Sequence, residues 1–175
     1  MKEMPDTDYL AKLGAVALAS RLRRLLQRLH ADGERVYRVL NFDFKPKWFP
    51  VLHLLSNRMP LTLTEIARLM CVAHPSSIET VDELISGGLV KSRKSNLDGR
   101  IRELSLTNKG KQLCSELLPI WDAFRIAGEE ANKENGNDFL KAIGILEQAL
   151  DRLSMYDRVM AQLEVREKQK KKKKS

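Results

Sequence analysis

The chain has 175 residues, 43% of them hydrophobic, and a formal net charge of +8, enough for one substantial core with helical extensions. Seven cations and one glutamate in Arg166–Ser175 supply +6 of that charge, so residues 1–165 carry only +2 and the basic balance says little by itself. No apolar run approaches the roughly 20 residues of a bilayer span, Met1–Asp6 lacks the basic start and apolar core of a signal peptide, and Cys71 and Cys114 are isolated thiols without metal or disulfide spacing. A protein of the reducing cytoplasm is expected.

In chain order, the first pattern is a long helix over about Asp8–His30, capped by Asp6 or Thr7, with Leu18, Leu22, Leu25 and Leu29 on one face. Ala31-Asp32-Gly33 is expected to interrupt it, and Glu34–Leu40 to add a further turn or two. Phe42–Pro50 is the densest aromatic cluster of the chain. Pro46 biases Lys45 to an extended shape, and Pro50 belongs in the first turn of a helix ending near Ser56.

Thr62 and Glu65 then form a capping box, flanked by Leu61 and Ile66 at the spacing of a hydrophobic staple, so a helix over about Leu63–Met70 is signalled twice. Cys71-Val72-Ala73 is a turn of the length that joins the two helices of a helix-turn-helix. The second helix, roughly Pro75–Ser86, sets Ile78, Val81, Leu84 and Ile85 inward. Its start has two readings. With His74 as N-cap and Pro75 first, Ser76, Ser77 and Thr80 face outward. With Ser76 as N-cap, Glu79 completes a second capping box. Turn length favours the first. Gly87-Gly88 ends the helix, because only glycine takes left-handed angles at little cost.

Leu89–Arg93 and Ile101–Leu106 read as strands joined by the turn chemistry of Ser95–Gly99. Lys91, Arg93, Lys94, Arg100 and Arg102 oppose Asp98 alone, a local charge of +4. A short hairpin so charged suits phosphate contact and entry into a minor groove. The order helix, turn, helix, basic hairpin defines the expected fold class: mainly α with a small β-hairpin wing, a winged helix-turn-helix with terminal dimerisation helices. Ser76 and Ser77 are expected near phosphate, Thr80 near base edges, and Arg93, Lys94, Ser95 and Arg100 on phosphates and the minor groove of double-stranded DNA. Glu79 has two readings: a base-edge acceptor, or a solvated or ion-paired side chain. Asp82 and Glu83 belong with the second.

After the wing, Thr107–Glu134 reads as one long helix, broken by Asn135-Gly136-Asn137. Over Asp138–Gln169, Phe139, Ile143, Leu146, Leu150 and Leu153 step by four, three, four and three, a coiled-coil-like seam. The basic end, 168–175, is expected to be disordered by self-repulsion. The expected organisation is therefore 6–41 N-terminal dimerisation helices, 46–106 winged lobe, 107–167 connecting and C-terminal dimerisation helices, and 168–175 tail. Terminal helices with apolar faces need a partner: a second copy, or their own winged domain.

In Leu63-Thr64-Glu65-Ile66-Ala67, in Val81-Asp82-Glu83-Leu84 with Gly88-Leu89-Val90, and in Asp98-Gly99-Arg100 followed by Leu106-Thr107-Asn108-Lys109-Gly110, the chain resembles the MarR family of bacterial regulators. The resemblance implies a homodimer on a pseudo-palindromic operator, most simply a repressor, with Asp98 bracing Arg100 in the wing. It also implies a small effector where dimer helices meet the DNA-binding lobe. Tyr37, Phe44, Trp48 and His53 fall there and are either a pocket or a core hub. Two positions depart from the family pattern: Cys71 stands where glycine is usual, and the second motif helix has acids and no Lys or Arg. The alternative function is a winged-helix protein-interaction module without specific DNA binding. No glycine-rich phosphate loop, nucleophile triad or paired-carboxylate motif points to an enzyme. His30, His53 and His74 are too dispersed for a metal, and no cofactor is expected.

Overall fold

The computed structural model describes residues 8–58, 60–71, 74–95, 100–136 and 138–172, without the side chains of 74–77 and 135. The chain divides into two compact units, Met1–Glu116 and Leu117–Ser175. Among the described residues no helix is long and apolar enough to cross a membrane.

The first unit opens with α1 (Tyr9–Lys12), capped by Asp8, whose side chain accepts from the Ala11 amide at 3.3 Å. Both Asp8 oxygens also take the Arg24 guanidinium at 2.9 Å. Gly14, at φ +59°, ends that first helix and a single 3₁₀ turn leads into α2 (Leu18–Val39). The expected break at Ala31-Asp32-Gly33 is absent, so the break lies some twenty residues earlier than the sequence suggests. An isolated glycine costs a helix only about 1 kcal/mol relative to alanine. Gly33 is instead buried beneath Pro46, whose Cγ would lie 3.5 Å from a Cβ at this position. Helix α2 ends in a Schellman motif: Phe42 N–H donates to Tyr37 C=O at 2.8 Å, with Asn41 left-handed at φ +58°.

A 3₁₀ turn, Pro46–Trp48, then starts α3 (Phe49–Asn57), with Pro50 in its first turn as expected. Strand β1 (Leu61–Thr62), α4 (Leu63–Met70), α5 (His74–Ser86), β2 (Val90–Lys94) and β3 (Arg102–Leu106) complete the winged fold. The sheet is antiparallel in the order β1-β3-β2, with Leu61 opposite Leu104 and Val90 opposite Leu106. The third strand, β1, is too short to leave a periodic trace in sequence. Val51, Leu52 and Leu55 of α3, Ile66 of α4, Leu84 of α5 and Val90 of β2 form the core, all 2% exposed or less.

Helix α6 (Asn108–Lys133) continues into the second unit and ends in a 3₁₀ turn, Glu134–Gly136. The expected single helix over Asp138–Gln169 is two: α7 (Phe139–Arg152), capped by Asp138, and α8 (Met155–Lys172). Ser154 causes the division. Its hydroxyl accepts the Asp157 amide at 3.1 Å and donates to the Asp157 carboxylate at 2.5 Å, an N-cap in the middle of the seam. Helix α8 also runs through Lys168–Lys172, where disorder was expected. Lysine, arginine and glutamine are good helix formers, and cations in a last turn suit the helix dipole.

Candidate nucleic-acid interface

The first motif helix starts where its sequence says it must. Thr62 Oγ1 accepts the Glu65 amide at 3.1 Å, and Glu65 returns to the Thr62 amide at 2.7 Å and to its hydroxyl at 2.8 Å. These bonds, the backbone one foremost, hold the Glu65 carboxyl below its ordinary value. At the other end Cys71 takes the left-handed angles φ +51°, ψ +36°, so the turn keeps the geometry of a glycine without the glycine. Helix α5 begins at His74, which puts Pro75 in its first turn and Ser76 inside the helix rather than at its cap. The side chains of Ser76 and Ser77 lie outside the described residues. Thr80 is half-buried and Glu79 exposed.

The end of α5, the wing and the start of α6 are locked together by Thr107 and Gly110. Helix α5 closes with Leu89 N–H donating to Leu84 C=O at 2.9 Å, and Gly88 at φ +70° makes that reversal possible. The Thr107 hydroxyl donates to Gly88 C=O at 2.7 Å while accepting the Gly110 amide at 3.0 Å. Lys109 Nζ donates to Gly87 C=O at 2.9 Å, placing a cation at the negative end of α5. A side chain at 110 is excluded, since its Cβ would collide with the Leu89 carbonyl oxygen and lie 3.0 Å from its carbon. This is the physical content of Leu-Thr-x-x-Gly: it fixes where the hairpin leaves the second motif helix.

On the hairpin, Arg93 and Lys94 are exposed near the end of β2, and Arg100 is exposed just before β3. Ser95 differs from them: it is buried, its hydroxyl donates to Glu103 Oε1 at 2.6 Å and its amide to Ile101 C=O at 2.8 Å. It ties the outer end of the β2–β3 ladder rather than presenting a hydroxyl outward. Asp98, the expected brace of Arg100, lies outside the described residues with the rest of 96–99.

Two of the three acids of α5, Glu79 and Glu83, meet cations from the segment before α3. Glu83 accepts from Lys47 Nζ at 2.6 Å, from Trp48 Nε1 at 2.8 Å and from Lys45 Nζ at 3.2 Å. Lys47 Nζ also donates to Glu79 at 3.2 Å. The lysine and the indole hold the Glu83 carboxyl down at about 2, with Lys45 adding to them against a smaller opposing effect of burial. Sequence reasoning reached the ion pairing of Glu83 but not its partners, which lie 35 to 38 residues earlier in the chain.

The aromatic residues divide. Tyr37 and Phe44 pack with tilted rings, centroids 4.5 Å apart, and Phe44 meets Trp48 edge-on at 6.0 Å, all three buried. His53 is exposed, beside Phe49 at 5.3 Å. An open cavity of about 430 Å³ adjoins Trp48, lined by Phe42, Asp43, Leu89, Lys109 and Glu116 among others. Of the four residues expected to line an effector pocket, Trp48 alone borders it. Among the described residues no three His, Cys, Asp or Glu side chains gather in a way that could hold a metal.

Sheet order, the capped helix pair and the hairpin define a winged helix-turn-helix protein. Residues 42–101 match the MarR family model. The chain is 31% identical over 106 residues to the HTH-type transcriptional regulator PetP of Rhodobacter capsulatus, a match covering 58% of this chain and 63% of that protein. Among solved structures it resembles MepR of S. aureus in complex with DNA (TM-score 0.63, 19% identity, 78% of this chain and 98% of that one). It resembles equally the M. tuberculosis regulator MOSR in complex with DNA (TM-score 0.63, 22% identity, 77% and 96%).

Proposed function

We propose that this chain is a sequence-specific DNA-binding transcriptional regulator, a homodimeric repressor on a pseudo-palindromic operator, released by a small effector and without catalytic activity. The observation that carries the DNA reading is the rigid join at Thr107 and Gly110, which fixes a hairpin bearing exposed Arg93, Lys94 and Arg100 to the end of α5. Cationic hairpins of this kind track phosphates, and a helix fixed beside one enters the adjacent groove. MepR and MOSR, which share this fold, are known in complexes with DNA.

Dimerisation is supported by apolar faces left uncovered in a single chain. Leu22, Leu25, Leu26 and Leu29 of α2 are exposed, and α7 and α8 contain no buried residue. The effector part of the reading rests on the cavity beside Trp48, whose volume falls in the range of small-molecule sites. The test is selection of bound fragments from random duplex DNA. The expected result is an inverted repeat with half-sites about 10 base pairs apart, or a multiple of that. An unenriched pool, with no salt-dependent binding, overturns the reading. It would leave the protein-interaction module, which the absence of any Lys or Arg in α5 favours.

A further inference from the structure

A helix offered to a polyanion should not carry uncompensated acids, yet α5 has Glu79, Asp82 and Glu83 and no cation of its own. The compensation comes from elsewhere in the fold. The 3₁₀ turn Pro46–Trp48 is seated on α2 through Pro46 against Gly33, and Trp48 is buried. From that fixed seat Lys47 reaches both Glu79, 73% exposed, and Glu83, 28% exposed. Lys45 reaches Glu83 while lying 5.3 Å from the centre of the Trp48 ring. Glu83 thus has three donors, one of them the indole N–H of a core residue.

Isolated ion pairs at a surface contribute little, because each orders two long side chains in water. Here Lys47 is shared between two carboxylates one helical turn apart, and Glu83 is already held by Trp48. The ordering cost is therefore spread over several contacts. The arrangement has a directional consequence as well. Glu83 joins α5 to the turn before α3, so the carboxylate nearer the core fixes the helix while the exposed Glu79 is neutralised at its outer edge.

We propose that Lys47 is a counter-charge and positioning residue for DNA binding: with Lys45 it offsets Glu79 and Glu83 and, with Trp48, holds α5 at the angle from which it meets the duplex. Lys47 acts through the two carboxylates, not as a phosphate ligand. The inference rests on the DNA-binding reading above, and its test separates the two. Affinity for a duplex recovered by selection is measured by fluorescence anisotropy for the full-length protein and for four variants: Lys47→Met, Lys47→Arg, Glu79→Gln and the double variant Lys47→Met/Glu79→Gln.

Loss of one counter-charge, which leaves Glu79 uncompensated near phosphates and Glu83 held by Lys45 and Trp48 alone, should weaken binding by about tenfold in Lys47→Met. Lys47→Arg should stay within about twofold of the unaltered protein, since the charge is kept. Glu79→Gln should bind as well as the parent or better, and in the Lys47→Met background it should recover most of the loss. The deciding readout is the coupling: Glu79→Gln must gain more in the Lys47→Met background than in the parent, because an acid removed independently of Lys47 raises affinity by the same factor in both. Thermal unfolding of each variant establishes that it is folded at the assay temperature. A loss that Glu79→Gln does not reverse, an equal gain in both backgrounds, or no loss in Lys47→Met overturns the proposal. If the unaltered protein itself shows no binding to duplex DNA, the regulatory reading falls and this proposal falls with it.

Discussion

The two units of this protein solve the burial problem differently. The winged unit, within Met1–Glu116, has a closed core in which Leu52, Leu55, Ile66 and Leu84 have no exposed surface. In the second unit no residue of α7 or α8 is fully buried, and Ile145 and Leu163 stand open to solvent. One region has a closed core, although α2 still exposes leucines; the other leaves its apolar side chains at least partly open. The difference predicts two kinds of stability. Leu52→Ala should cost about 2–5 kcal/mol in urea unfolding, by the same amount at any protein concentration. Leu146→Asp with Leu150→Asp, on the half-buried stripe of α7, should convert a dimer into a monomer in sedimentation while leaving the winged unit's own cooperative unfolding in place. A dimer unaffected by two buried charges would move the interface elsewhere.

Within the winged unit the next largest effect is expected where backbone approaches backbone. Gly110→Ala forces its Cβ onto the Leu89 carbonyl, an overpacking that should cost about 3 kcal/mol. Because Gly110 joins the wing to α6 and not the core, DNA affinity at a temperature where the variant is fully folded should fall too. A variant that is destabilised but binds normally would separate packing from wing placement and break the link drawn here between them.

What was legible in the sequence follows the same division between local and distant causes. Thr62 and Glu65 are three residues apart, so their reciprocal bonds could be read directly, as could the glycine-led end of α5. Gly33 was misread as a break because its neighbour, Pro46, is remote in sequence and near in space. Ser154 follows directly on the last residue of the apolar seam, Leu153, and periodicity does not mark the division there, although Ser-x-x-Asp is itself a start signal. Ser95 had the composition of a phosphate contact, and only its distance to Glu103 reveals it as a tie within the hairpin. The cations that meet Glu83 could not be found by any periodicity, since no repeat connects residues 45–48 to residue 83.

Acid provides a smaller and more selective test of that last network. Glu83 titrates at about 2 in the folded chain against 4.5 ordinarily. A depressed carboxyl contributes stability that is full above the ordinary value and is lost as pH falls toward the folded one. The unaltered protein should therefore lose stability relative to Glu83→Gln between about pH 4.5 and about pH 2. Asp8, Glu65 and Asp138 are also held below their ordinary values, but they are common to both proteins and cancel in the difference. A gap between the two proteins that stays constant through this range would show that Glu83 is not differently charged in the folded and unfolded chains.

The smallest expected effect lies at Cys71, and it sharpens the comparison between local strain and global fold. An L-residue in the left-handed region costs roughly 1–2 kcal/mol, and glycine avoids this while losing roughly 0.5–1 kcal/mol more backbone entropy on folding. The Cys71 side chain recovers little in return: it is exposed, and among the described residues its Sγ meets only the Arg68 carbonyl, at 3.7 Å. Cys71→Gly should therefore stabilise the protein by about 0.5 kcal/mol, whereas Cys71→Ala, which keeps the strain, should leave the urea midpoint almost unchanged. Both measurements are made under reducing conditions so that the thiol itself does not enter. If glycine destabilises relative to alanine, the turn between α4 and α5 is held by interactions of residue 71 that outweigh its backbone strain. The angle between the two motif helices would then depend on this side chain and not on the left-handed turn alone.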